Sequence, residues 1–128
     1  MRTLLIFCVL ILSVASLRSQ DIPKLRDFQK GSWLFHACQA YIRNLDGNSS
    51  GDVASTSLSR ECLDYVQGFT EGSKASATAF CASDATMTDT MVRVYLNYMQ
   101  THPTNMDEHR AMGLMLALRE SYPYRKHK

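Results

Sequence analysis

Residues 32–45 read Ser-Trp-Leu-Phe-His-Ala-Cys-Gln-Ala-Tyr-Ile-Arg-Asn-Leu, and their spacing decides the fold class. Leu34, Cys38, Tyr41, Ile42 and Leu45 recur at intervals of three and four, so an apolar stripe runs down one face of a 3.6-residue helix. Ser32 offers a hydroxyl cap for this first helix, expected over Trp33–Leu45. It should stop at Asp46, because Asp46, Gly47, Asn48, Ser49, Ser50, Gly51 and Asp52 favour turns and offer almost nothing to bury.

Toward the C-terminus the same period returns three times. A second helix, capped by Ser57 or Ser59, carries Leu58, Cys62, Tyr65, Val66 and Phe69 along one side. Its second half places Gly68, Gly72, Ser76 and Ala79 about one turn apart, which in a soluble chain signals the close approach of another helix. Each glycine weakens a helix by ~1 kcal/mol relative to alanine, so fraying or a bend is expected near Gly72. Residues 80–86 form a connecting loop. Thr86 or Thr88 then caps a third helix with Met91, Val94, Tyr95, Tyr98 and Met99 on its apolar face, and Pro103 ends it. Asn105 and Glu108 have capping-box spacing for a fourth, on which Ala111, Leu114, Met115, Leu118 and Tyr122 repeat until Pro123. No stretch alternates as a strand does. The expectation is an all-α protein, a compact bundle of about four helices in one domain.

Toward the N-terminus the character changes. Met1 and Arg2 are followed by an apolar stretch from Thr3 to Val14 that suits a secretory leader and falls short of the ~20 residues a bilayer crossing needs. Ser13 and Ala15 give an A-x-A-like processing site, with cleavage between Ala15 and Ser16 or slightly later, by residue 20. Four segments follow: a cleavable leader over 1–19, a loose polar lead-in over 20–30 containing Pro23, the helical domain over 31–123, and a basic tail over 124–128. Cys8 leaves with the leader. The 128 residues carry a formal charge of +2, and lysine and arginine are scattered except for Arg125, Lys126 and Lys128 in the tail. That pattern points to no nucleic-acid partner, and no later apolar run is of membrane-spanning length.

Export to an oxidising compartment makes the cysteines informative. Cys38, Cys62 and Cys81 remain, an odd number, so one pair and one leftover is the economical reading. Cys38 and Cys62 lie on the apolar faces of neighbouring helices, and an antiparallel hairpin brings such positions to the ~5.5 Å Cα separation a disulfide needs. The bridge stabilises by ~3 kcal/mol in the chain-entropy model and leaves Cys81 unpaired: reduced, buried or linked to another chain. No Cys-x-x-Cys spacing, zinc-ligand pattern, phosphate loop or nucleophile elbow appears. His36 and His102 have no acidic neighbours in sequence, and His109, beside Asp107 and Glu108, reads as a solvated side chain. The chain is therefore expected to bind rather than catalyse, with no metal and no cofactor.

The landmarks also come in a recognisable order. Cys38-Gln39-Ala40-Tyr41 precedes Glu61-Cys62-Leu63-Asp64-Tyr65-Val66-Gln67-Gly68, then Phe80-Cys81, Val94-Tyr95-Leu96, His102-Pro103, Ala117-Leu118 and Tyr122-Pro123. From about Gly31 to Pro123 this resembles the Rap/Tai immunity proteins, which neutralise peptidoglycan amidases delivered by bacterial type VI secretion. The resemblance implies a small helical periplasmic protein, often a homodimer, that plugs the active-site groove of a cell-wall amidase effector. It also exposes two departures. Tyr124 stands where many relatives place a cysteine, so Cys81 lacks the mate that cysteine would provide, and Ala82-Ser83 follows Cys81 where relatives commonly bring a proline. The polar loops between helices are the candidate partner-binding segments: Asp46, Asn48 and Asp52 in the first, Ser83, Asp84 and Thr86 in the second. The other reading is a general periplasmic helical module or stress chaperone, whose seven methionines line an adaptable surface instead of filling a core.

Overall fold

A computed structural model describes residues 26–76 and 80–124; the leader, most of the lead-in and all of the basic tail but Tyr124 lie outside the described residues. The described chain forms four α-helices: α1 over Gly31–Leu45, α2 over Val53–Ser76, α3 over Thr88–Thr101 and α4 over Arg110–Ser121. Short 3-10 turns cover Asp27–Gln29 and Pro103–Met106. No strand occurs among the described residues, and the one sheet-like feature is an isolated antiparallel bridge between Lys30 and His109. The all-α class and the count of helices are as the periodicity implies.

The inner stripes of the helices meet in one core. Leu34, Ala37 and Cys38 from α1, Cys62 and Val66 from α2, Val92, Tyr95 and Met99 from α3, and Leu114, Ala117 and Leu118 from α4 are all fully buried. Such burial is the main favourable contribution to folding, ~1.5–3 kcal/mol for each large aliphatic or aromatic side chain. Two positions differ from the pattern: Leu45 is half exposed, and Val92 is buried where Val94 is only partly so. Leu45 closes the last turn of α1, where the chain turns into the polar loop.

α1 and α2 form an antiparallel hairpin fastened by a disulfide between Cys38 and Cys62, whose Cα atoms are 4.9 Å apart. α3 and α4 form a second hairpin through the turn at Pro103. The two are joined at Gly31. The Gly31 amide donates to the Glu108 carbonyl at 2.8 Å, and the buried Tyr95 hydroxyl donates to the Gly31 carbonyl at 3.1 Å. A Cβ placed on Gly31 would stand 2.5 Å from the Asn105 carbonyl oxygen, so only glycine fits there. At the other end the Cys81 amide donates to the Tyr122 carbonyl at 2.9 Å, tying the α2–α3 connection to the close of α4.

The helix starts are where sequence and structure part. α1 begins at Gly31 with Lys30 as its extended cap residue, so Ser32 lies inside the first turn. The Glu108 carbonyl instead accepts from the Gly31 amide, the first of the helix's unpaired donors. α2 begins well before Ser57 and Ser59, capped by Asp52, whose carboxylate accepts from the Ser55 amide at 2.7 Å. It continues past Gly72 to Ser76 without a break. α3 starts behind Met87, with no side-chain cap bond; Thr86 is occupied by its own loop. α4 starts at Arg110, not at Asn105, which belongs to the 3-10 turn. Its cap is the His109 ring, whose Nδ1 accepts from the Ala111 amide at 3.2 Å. His109 is exposed, as the sequence implies, and has this bond in addition.

Candidate functional site

Both polar loops are exposed, and both are held by bonds that fix their shape. The first is pinned at its two ends. The Asp46 carboxylate accepts from the Arg93 guanidinium at 2.6 Å, which ties the end of α1 to α3 and raises the Arg93 pKa further through that hydrogen bond. Asp52 caps α2 and also takes a hydrogen bond from the Ser50 hydroxyl. These two donors, the hydroxyl first, hold its carboxyl below the usual carboxylate range. Between the ends, Gly47 and Gly51 take the left-handed conformation, at φ 76° and 68°, that lets so short a loop reverse direction. Asn48 donates its amide to the Arg43 carbonyl at 2.8 Å, so its side chain is exposed on a fixed backbone.

The second loop is built the same way on a smaller scale. The Thr86 amide donates to the Ser83 carbonyl at 2.9 Å, and their hydroxyls lie 3.2 Å apart. Asp84, almost fully exposed, forms a long ion pair with Lys74 at 3.6 Å. The six candidate residues thus fall into two groups, one tied to α3 through Arg93 and one to α2 through Lys74. The first group gives two carboxylates and a side-chain amide, the second one carboxylate and two hydroxyls, both on a constrained backbone, the equipment for recognising polar groups on a protein surface.

A third feature was not visible in the sequence. Glu61, on α2, receives two hydrogen bonds on one oxygen: from the Trp33 indole of α1 at 2.8 Å and from the Arg110 guanidinium of α4 at 3.1 Å. The Arg110 guanidinium also lies over the Tyr65 ring, 4.1 Å from its centroid, and Tyr65 in turn stacks on Phe69. Burial pushes the Tyr65 hydroxyl up, and the neighbouring guanidinium pulls it part of the way back. Beyond Phe69 the surface dips into an apolar groove of ≈ 300 Å³ between α2 and α4, lined also by His109, Ala111, Met112 and Met115. Four residues on three helices carry no common spacing, so no sequence signal marks this corner.

Chemistry beyond binding finds little to work with. His36 is exposed, with its ring edge toward Phe35, His102 stacks on Tyr98 at 4.1 Å, and His109 is committed to its cap. Among the described residues no cluster of three or more histidine, cysteine or acidic side chains is arranged to hold a metal ion. Cys81 is an exposed free thiol, which decides against its being buried. The glycines of the α2 stripe also differ from expectation: nothing lies within 4 Å of a Cβ built on Gly68 or Gly72, so among the described residues no other helix approaches them closely. Among the described residues no helix is long and apolar enough to cross a membrane.

The family model of the Rap1a immunity proteins matches residues 30–124, the span that holds all four helices and both loops. No curated protein and no solved structure matches the chain.

Proposed function

We propose that this chain, which belongs to the Rap1a immunity proteins, neutralises a peptidoglycan amidase delivered by type VI secretion, acting in the periplasm by occluding the enzyme's groove. The family match carries the reading, since an immunity protein has an effector as its partner. What supports occlusion is the fixed shape of the polar loops. A loop already held by Arg93 and by the cap at Asp52 loses little freedom on binding, so more of its contact energy remains as affinity. Asp46, Asn48 and Asp52 form one contact group in this proposal, and Ser83, Asp84 and Thr86 the other. The chain reaches the periplasm behind a leader cleaved between residues 15 and 20, and it performs no catalysis there. It works as a homodimer, with Gly68 and Gly72 giving α2 room for the close approach of a second copy.

Titration calorimetry of the purified protein against amidase effectors encoded beside its gene tests the proposal. Tight one-to-one binding is expected, with Asn48→Arg or Ser83→Arg weakening it by about tenfold or more. Binding to none of them removes the immunity reading. Suppression of aggregation of unrelated proteins would put the general chaperone in its place. Sedimentation across a range of concentrations checks the dimer separately.

A further inference from the structure

We propose that the Cys38–Cys62 bond is a redox switch for folding, so that the chain acquires its binding surface only after an oxidant has closed that bond. The proposal goes beyond the immunity reading, because it concerns when the surface exists and not what it binds.

Three observations carry it. The bond lies in the core, with both cysteines fully buried, and it fastens the hairpin that presents the loop from Asp46 to Asp52. It spans 24 residues, and closing a loop of that size shifts the folding equilibrium about 400-fold in the chain-entropy model. The rest of the fold has little to spare. Ala37, Ala40 and Ala117 occupy core positions where larger side chains would bury more surface, and Gly68 and Gly72 each weaken α2 by about fivefold with no packing in return. A small domain with such a core depends on its cross-link more than one filled with leucine and phenylalanine.

The chemistry balances with a protein disulfide as oxidant. The thiolate of one cysteine attacks a sulfur of that disulfide and releases one of its thiols. The second cysteine then displaces the other, so the Cys38–Cys62 bond forms and the oxidant leaves as a dithiol holding the two electrons and two protons. Reversal requires a thiolate to reach one of two sulfurs that packing shields completely. The switch therefore runs one way: open in the newly made chain, and locked once the helices have closed over it.

The test uses the full chain with Cys8→Ser and Cys81→Ser, which removes competing thiols. The oxidised form is compared with the same chain reduced in urea and returned to buffer under a phosphine reductant. The two differ only by two hydrogens, so no cavity complicates the result. We expect the reduced chain to be mostly unfolded at 37 °C by circular dichroism and open to protease, while the oxidised chain is folded and keeps its bond in dithiothreitol until urea is added. A reduced chain that is mostly folded at 37 °C, or a bond that dithiothreitol cleaves readily without urea, overturns the proposal.

Discussion

Replacing Gly31 by alanine tests the packing logic where four groups meet at one residue. The added methyl would stand 2.5 Å from the Asn105 carbonyl oxygen and 2.8 Å from Cε of the fully buried Met99. Met99 carries its terminal methyl on a flexible side chain and can give way, but the Asn105 carbonyl is backbone of the 3-10 turn and cannot. Relief therefore means moving α1 away from the α3–α4 hairpin. Overpacking of this kind costs about 1–3 kcal/mol. The same movement stretches the Gly31 amide bond to Glu108 and the Tyr95 hydroxyl bond to Gly31, which adds about 0.5–1.5 kcal/mol for a lost bond. The gain in helix propensity is at most ~1 kcal/mol, and smaller in a first turn. The net expectation is a loss of about 2–3 kcal/mol, seen as a fall of about 10–20 °C in Tm for a domain of this size. The matched control is Gly68→Ala, at a helical position with nothing within 4 Å, where stabilisation of up to ~1 kcal/mol is expected. Thermal and urea unfolding followed at 222 nm measures both. If Gly31→Ala is as stable as the parent, or if Gly68→Ala is the more damaging of the two, the reasoning from close approach is wrong.

Further outcomes follow from the same geometry. Tyr95→Phe leaves the Gly31 carbonyl without its buried donor and should cost about 1–2 kcal/mol in urea unfolding, with no change in helix content before the transition. Glu61→Gln keeps the shape but weakens the charge-assisted bond to Arg110; because the pair is partly exposed, a loss of only about 0.5–1 kcal/mol is expected, and paired substitution with Arg110→Gln should be less than additive. Asp52 has a lowered pKa in the folded chain, so its contribution is fully present above the ordinary carboxylate value and is lost as pH falls through the lower folded one. Amide exchange at Ser55 should accelerate across that acid window, and Asp52→Asn should abolish the pH dependence.

Much of the architecture was legible because its signals are local. The three-and-four spacing on α3 needs no knowledge of the rest of the chain, and a chain with three cysteines beyond its leader offers few pairings, of which only one joins two inner faces. The helix starts were not legible, because several polar residues stand near each one: Asp52 and not Ser57 or Ser59 caps α2, and the His109 ring and not Asn105 caps α4. Ser32 is a sound cap by its chemistry, yet the helix already begins at Gly31, whose amide the Glu108 carbonyl holds. His109 is exposed as its sequence implies, but nothing in the sequence marks its ring as the acceptor for the helix it precedes. The candidate loops were found by composition, but the ties that shape them, such as Asp46 to Arg93, join positions 47 residues apart. The Glu61 corner was not found by sequence reasoning: Glu61 and Tyr65 lie one turn apart on α2, but nothing local says that Trp33 and Arg110 come to meet them.

That corner also gives the molecule an optical property. Trp33 is the only tryptophan in the chain, and its indole, bonded to Glu61, is a little over one-third exposed at the junction of α1, α2 and α4. Its fluorescence is therefore a native, label-free gauge of where the protein is touched. A macromolecule that settles over the junction dries the indole and moves its emission to the blue, whereas one that grips only the distant turns leaves the spectrum where it was.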